Sequence, residues 1–239
     1  PPVIQLTDGS FGRHVFTGIE KEKQMIGALK TLHQDERNTH VIVEQHIPGT
    51  DYRIYVVGDQ AVAAMIRVPA NVIGDGEKTV EQLIHEKNEI RKQNPRLMSC
   101  LIEIDDSLMQ FIKRSGYQLD SVLEKGKQLF LTDKANISTG GDPITVTETL
   151  DEAVMNTAIR ALNAVPGLAH GAVDIIVDER KPIEEAATVI ELNPTSQIGG
   201  LLYPMVGKPC DVPAAIIDYY FPETKEVTTE KEKMYFDFI

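Results

Sequence analysis

The chain has 239 residues, 42% hydrophobic and 25% charged, enough for one large domain or two lobes with cores of their own. With 24 Lys and Arg against 36 Asp and Glu, its net charge of −12 excludes sequence-independent nucleic-acid binding, which needs a basic surface. No apolar run nears the ~18–20 residues of a membrane span, the Pro1-Pro2-Val3-Ile4-Gln5 start has no signal-peptide pattern, and two cysteines, Cys100 and Cys210, make no disulfide framework, so a reduced cytoplasmic protein is expected.

Residues 2–6 read as a short strand, Asp8-Gly9-Ser10-Phe11-Gly12-Arg13 as a glycine loop, and residues 14–19 as the returning strand. Apolar Met25, Ala28, Leu29 and Leu32 give residues 20–34 a helical period. Residues 40–45 form a strong strand candidate, and Pro48-Gly49 marks a turn. Residues 52–57 and 60–68, joined by Gly58-Asp59, predict a hairpin. Residues 71–76 read as a loop, 78–93 as a helix capped by Thr79, and 106–115 as a helix ending at Gly116. A strand at 127–131, a second glycine loop at 136–141 and a long helix at 150–165 follow. Two strands come next, 172–177 and 189–193, then a polar loop at 193–200 and a final helix at 213–220. The plan is α+β, rich in antiparallel strands, with helices outside.

The two late strands carry the sharpest chemical signal. Both are apolar and β-branched, yet they hold Asp174, Glu191 and Asn193. Glu191 and Asn193, two apart in a strand, share a face; if the strand with Asp174 pairs beside them, three oxygen-bearing side chains converge. Such oxygens suit Mg²⁺. The loop at 8–12 is either a hairpin turn or a backbone cradle for an anion; it is no Walker loop, since no Gly-Lys-Ser/Thr follows. Glu44, Gln45 and Ile47 close a strand where a Glu and free backbone could receive a purine edge, with Asp51 placed for sugar hydroxyls; the alternative is a solvated strand end. Arg53 and Arg67, cations on apolar hairpin strands, are edge gatekeepers or anion ligands. The loop of Asn136, Ser138, Thr139, Gly140 and Gly141 offers donors and supple backbone, or is a surface turn. His14, His40, His46 and His170 lack ligand spacing and read as structural, and no Gly-x-Ser-x-Gly elbow is present.

In order, these pieces resemble an ATP-grasp carboxylate–amine ligase over nearly the whole chain. The strand, glycine loop and strand at 3–19 look like the phosphate lid, Val41-Ile-Val-Glu-Gln-His-Ile47 like the adenine hinge, and Asp51 within Pro48-Gly-Thr-Asp-Tyr-Arg53 like the ribose-binding acid. Asp174, Glu191 and Asn193 match the family's Mg²⁺ ligands. Arg67-Val-Pro-Ala-Asn-Val-Ile-Gly-Asp-Gly76 with Lys78-Thr79-Val80-Glu81, and Asn136-Ile-Ser-Thr-Gly-Gly-Asp142, resemble the branch that holds cyanophycin synthetase and the bifunctional glutamate–cysteine ligase/glutathione synthetase.

The resemblance implies an ATP-grasp fold of two antiparallel lobes with flanking helices. Its small lobe would be residues 1–46 and its large lobe 47–239, with a helical insertion at about 71–126 and the family's N-terminal portion preceding Pro1. It implies ATP with two Mg²⁺ (Mn²⁺ as a substitute), an acyl phosphate, and attack by an amine on an amino-acid or small-peptide substrate. Ser10, Phe11, Gly12, Glu44, Gln45, Ile47 and Asp51 would hold the nucleotide; Arg67 would face phosphate and Asn136 would serve catalysis. Neither nucleic acid nor membrane is an expected partner, and homo-oligomerisation is left open. Gln5 stands where the family has a phosphate-reaching Lys, and Leu131-Thr-Asp-Lys134 where its branch has an Arg. The alternative reading is therefore a nucleotide-binding module without full ligase activity.

Overall fold

A computed structural model describes residues 2–6, 16, 19–33 and 40–224. The fold divides into two units, Pro1–Pro48 and Gly49–Ile239.

In the first unit, β1 (Pro2–Leu6) pairs antiparallel with β2 (Val41–Gln45). Ile4 also exchanges backbone hydrogen bonds of 3.0 and 2.8 Å with Phe16, an isolated bridge; residues 14, 15, 17 and 18 of the expected returning strand lie outside the described residues. In α1 (Glu22–His33), Ala28 and Leu32 lie one turn apart and bury against Ile4 and Ile19. Gln24 Oε1 accepts from the N–H groups of Glu20 and Lys21 and so ties down the start of that helix. The loop residues Ser10, Phe11 and Gly12 lie outside the described residues.

The second unit is built on an antiparallel five-stranded sheet. Its strands are β3 (Thr50–Val57), β4 (Gln60–Val68), β7 (Asp142–Thr145), β8 (His170–Val177) and β9 (Ala187–Asn193), in the order β7-β4-β3-β8-β9. Strand alternation sorts the side chains between its faces. Ile54, Val56, Val173, Ile175 and Val177 meet Val154, Ala158 and Leu162 of α4 (Glu152–Asn163) on one face. Tyr55, Val57, Ala63, Met65 and Ala172 meet Leu201 of α6 (Gly199–Leu202) and Val212 of α7 (Val212–Tyr220) on the other. Each fully buried Leu or Ile here contributes about 1.5–3 kcal/mol. A short α5 (Ile183–Ala186) precedes β9.

Between β4 and β7 the chain builds a subdomain with its own core. β5 (Asn71–Ile73) pairs with β6 (Gln128–Phe130), and α2 (Val80–Gln93) and α3 (Asp106–Arg114) bury Val80, Leu83, Ile84, Leu108 and Ile112 against Val72, Ile102, Leu123 and Leu129. Thr79 caps α2 in a capping box with Gln82, and Asp105 caps α3 through the N–H of Leu108 at 2.8 Å.

Two local expectations need correction, and one strand, β7, has no counterpart in the sequence reading. Residues 71–76 are not all loop, since Asn71–Ile73 is a strand whose partner lies far along the chain. Asp142–Thr145 is a strand despite Pro143, which is tolerated because β7 is a sheet edge. The polar loop ends at Ile198, where Gly199–Leu202 coils into a helical turn that the two glycines disfavour locally and the burial of Leu201 sustains.

Candidate functional site

The sheet face that carries Tyr55, Met65 and Ala172 turns from apolar to charged at one end. Two residues before Tyr55 comes Arg53, then Asp51; two after Met65 comes Arg67; two after Ala172 comes Asp174. The register sets Arg53 opposite Asp174, and Asp174 opposite Glu191. A register shift in β9 makes the second pairing possible. Ile175 faces Val189 while Asp174 faces Glu191, so Ile190 is the extra residue. Without it Ile190 would oppose Asp174, and Glu191 and Asn193 would be turned away.

Arg53 forks Asp174, with Nε to Oδ1 and Nη2 to Oδ2 both at 2.7 Å. Arg67 Nη2 donates to Asp51 Oδ2 and, at 3.3 Å, to Asp174 Oδ2. Asn193 Nδ2 donates to Glu191 Oε1 at 3.0 Å, and Arg53 Nη2 lies 3.9 Å from that same oxygen. Burial alone would push the Asp174 carboxyl up, but the Arg53 fork and the Arg67 charge outweigh it and hold the group below the ordinary carboxylate range. Burial raises Asp51 above its ordinary value, with the Asp174 charge adding, against the lowering by Arg67.

Among the described residues, no three His, Cys, Asp or Glu side chains cluster to hold a metal unaided. The set here is two carboxylates and an amide. Asp174 is almost wholly buried and engaged by Arg53, Glu191 is 57% exposed, and Asn193 gives its NH₂ to Glu191, which leaves its carbonyl oxygen as the atom to offer a cation. That donor set fits a hard cation whose remaining ligands are phosphate oxygens and water. Arg67 Nε is buried with no hydrogen-bond partner among the described residues, a donor that an anion at this face would satisfy.

Asn136 stands on the loop that leads into β7, the strand beside Arg67. That loop makes one 3-10 turn at Ile137–Thr139 and closes with the Gly141 N–H bonded to Asn136 O at 2.9 Å. Ser138 and Thr139 are exposed, whereas Gly140, at φ +94°, backs onto Ile102, which a Cβ would meet at 2.6 Å. Glu44, Gln45 and Ile47 belong to the other unit, where Glu44 and Gln45 lie exposed in β2 and Ile47 just beyond it.

The structure thus gathers Arg67, Asp51, Asp174, Glu191 and Asn193 on one face. It adds Arg53, whose sequence reading left its partner open, and a buried group that sequence reasoning missed. Arg91 and Lys87 of α2 and Asn71 all donate to Asp142. The signal was there, since Lys87 and Arg91 continue the apolar stripe of Val80 and Ile84 at helical spacing. His170 Nδ1 lies 3.1 Å from Tyr55 Oη, and its ring stacks on that tyrosine. Both cysteines are free, and no helix among the described residues is long and apolar enough to cross a membrane.

No known protein-family model matches the chain. It is 32% identical over 227 residues to a cyanophycin synthetase from Geminocystis herdmanii (strain PCC 6308), covering 93% of this chain and 26% of that protein. It is 34% identical over 194 residues to the glutathione biosynthesis bifunctional protein GshAB from Enterococcus faecalis (strain ATCC 700802 / V583), covering 79% of this chain and 26% of that one. The crystal structure of a bifunctional glutathione synthetase from Pasteurella multocida superposes with a TM-score of 0.70 at 29% identity, over 93% of this chain and 31% of that chain. The chain therefore spans about a quarter of the length of the curated relatives it matches. Over nearly all of its own length its fold is the ATP-grasp fold, and it resembles the ATP-grasp part of cyanophycin synthetase and of the bifunctional glutathione enzyme.

Proposed function

We propose that this chain is the catalytic ATP-grasp part of an ATP- and Mg²⁺-dependent ligase that joins a carboxylate to an amine through an acyl phosphate, with an amino acid or small peptide as substrate. The observation that carries the reading is the convergence of Asp174, Glu191 and Asn193 beside Arg53 and Arg67, in a chain similar to ligases of that kind.

Phosphoryl transfer from ATP asks for charge neutralisation and positioning more than for a protein nucleophile. Glu191, Asn193 and Asp174 would hold the Mg²⁺, which when bound neutralises phosphate charge. Arg53 fixes the Asp174 rotamer from the neighbouring strand, and so fixes where that carboxylate can coordinate. Arg67, with one donor unspent, faces the transferring phosphoryl group. Asp51 takes the sugar hydroxyls, exchanging its bond to Arg67 for them. Asn136 serves catalysis beside the exposed Ser138 hydroxyl, which presents a donor to the acyl phosphate or the carboxylate that forms it; the Thr139 hydroxyl donates to Asn136 O. Glu44, Gln45 and Ile47 are assigned to adenine, and Ser10, Phe11 and Gly12 to a lid that keeps water from the acyl phosphate.

Calorimetric titration with ATP, with and without Mg²⁺, tests the nucleotide reading, and Mg²⁺-dependent binding is the expected result. ADP release that depends on an added amino acid or dipeptide tests the ligase. A second reading, a nucleotide-binding module without turnover, is favoured by Gln5 in β1 where a lysine would bring charge to the phosphates. It predicts binding without amino-acid-dependent ADP release.

A further inference from the structure

We propose that the C-terminal end of α2, through Arg91, Asn94 and Arg96, is the positioning element for the two loops that run into β7 and out of β9, and so sets the substrate side of the site; the catalytic part of this inference rests on the ligase reading.

Arg91 is fully buried and spends every guanidinium nitrogen beneath the first loop. Nη1 donates to Asp142 Oδ1 at 2.8 Å, Nε to Cys100 O at 2.8 Å, and Nη2 to Gly141 O at 3.2 Å and Ile137 O at 3.4 Å. Lys87 brings a second cation to Asp142 and to Asn71 O. One carboxylate serves two cations, so the surplus positive charge is met by backbone carbonyls. Drawing the carbonyls of residues 137 and 141 inward leaves Ser138 on the exposed side, while the Thr139 hydroxyl donates to Asn136 O at 3.2 Å. That is the polarity a carboxylate or phosphoryl ligand needs.

Three and five residues on, the same helix end reaches the second loop and the far end of α6 that follows it. Asn94 caps α2; its Nδ2 donates to Tyr203 O at 3.2 Å, while its Oδ1 accepts from the N–H groups of Arg96 and Leu97. Arg96 donates to Gln197 Oε1 at 3.2 Å, and its stem lies where a Cβ on Gly199 would stand, 2.5 Å from Cδ. Arg96 Nη1 also contacts Cys100 Sγ at 2.8 Å, and the carbonyl of that cysteine takes Arg91 Nε, so the anchors of both loops share one residue. None of these three side chains belongs to the charged sheet face; Arg91 and Asn94 act through backbone carbonyls, and Arg96 through the Gln197 amide and its packing on Gly199.

Amide hydrogen exchange on the nucleotide-free chain reads the loops without any ligand. Asn94→Ala and Arg96→Gln should each raise exchange at 197–203 by about tenfold while β3–β8 ladder amides keep their rates. Arg91→Met should do the same at 137–142, and Arg91→Lys should recover part of the loss. Should Arg91→Met fail to fold, the half-buried Arg96 carries the test. Loop amides that exchange as in the unaltered chain overturn the proposal, and so does a rise shared equally by β3 and β8. On the catalytic side, Arg96→Gln should lower kcat for amino-acid-dependent ADP release by about tenfold with KM for ATP within about threefold; an unchanged kcat overturns the positioning role. Absence of ADP release from the unaltered chain would sink the ligase reading instead, and the exchange data would still decide whether α2 holds the loops.

Discussion

Asp174 keeps a carboxylate almost out of water by engaging the guanidinium groups of Arg53 on the adjacent strand and of Arg67 one strand further. Taking one partner away exposes the cost of burying the other. Arg53→Met should therefore destabilise the second unit by about 3–5 kcal/mol, read as a lowered urea midpoint at constant m; a loss within about 0.5 kcal/mol would mean that Arg67 suffices. The pH dependence has a definite sign. The Asp174 pKa is lowered on folding, so its contribution is fully present above the ordinary carboxyl value near 4 and is lost as pH falls through the lowered one. Between pH 6 and 3 the unaltered chain should lose more stability than Asp174→Asn, and parallel loss would remove Asp174 from the acid-labile groups. The acids themselves were legible in the sequence, because charge inside an apolar β-branched run is costly unless it is used. Their partners were not, because the arginine that meets Asp174 depends on the β3–β8 register, and the meeting with Glu191 depends on a bulge at Ile190 that leaves no mark in residues 187–193.

At the scale of elements, local rules decide where helices begin. Thr79 accepts from the Gln82 N–H at 3.3 Å, and Gln82 Oε1 accepts from the Thr79 N–H at 2.9 Å, closing the box that starts α2. Thr79→Ala should cost about 1 kcal/mol, or about 2–4 °C in Tm for a chain of this size, measured by calorimetry. No change would show that Val80, fully buried under the helix start, holds it without the cap. Capping is readable because donor and acceptor lie three residues apart. Asp151, which caps α4 through the Ala153 N–H and places its start after Leu150, is equally local. The pairing of Asn71–Ile73 with Gln128–Phe130 is not local, and a three-residue strand carries too little periodicity to announce itself. The sequence of this region therefore reads as two helices and a strand without the ladder that closes it. In the network that anchors it, Lys87 and Arg91 are marked by their place on the apolar stripe of α2, while their partner Asp142, 55 and 51 residues on, is not.

For the whole molecule, the ligase reading makes a thermodynamic claim that needs no substrate. A ligand bound only by the folded chain stabilises it by RT ln(1 + [L]/Kd), about 2.7 kcal/mol at a hundredfold excess over Kd. Spread over a chain of 239 residues, that is a rise of about 5–10 °C in the melting midpoint with Mg²⁺ and ATP together. ATP without Mg²⁺ should give a smaller rise. Glu191→Gln should keep that smaller part and lose the Mg²⁺-dependent increment. The variant is a clean probe because the Glu191 side chain is more than half exposed and its neighbour Asn193 can still donate to the amide oxygen of a glutamine; its own stability should stay within about 0.5 kcal/mol of the unaltered chain. The contrast with Asp174 is what makes the experiment decisive. Asp174 is tied to Arg53 and Arg67, so replacing it mixes loss of fold with loss of metal. Glu191 on the neighbouring strand lets the two be separated. A full Mg²⁺-dependent shift in Glu191→Gln would mean that the cation is held elsewhere, and the bulge that aims Glu191 at Asp174 would need another purpose.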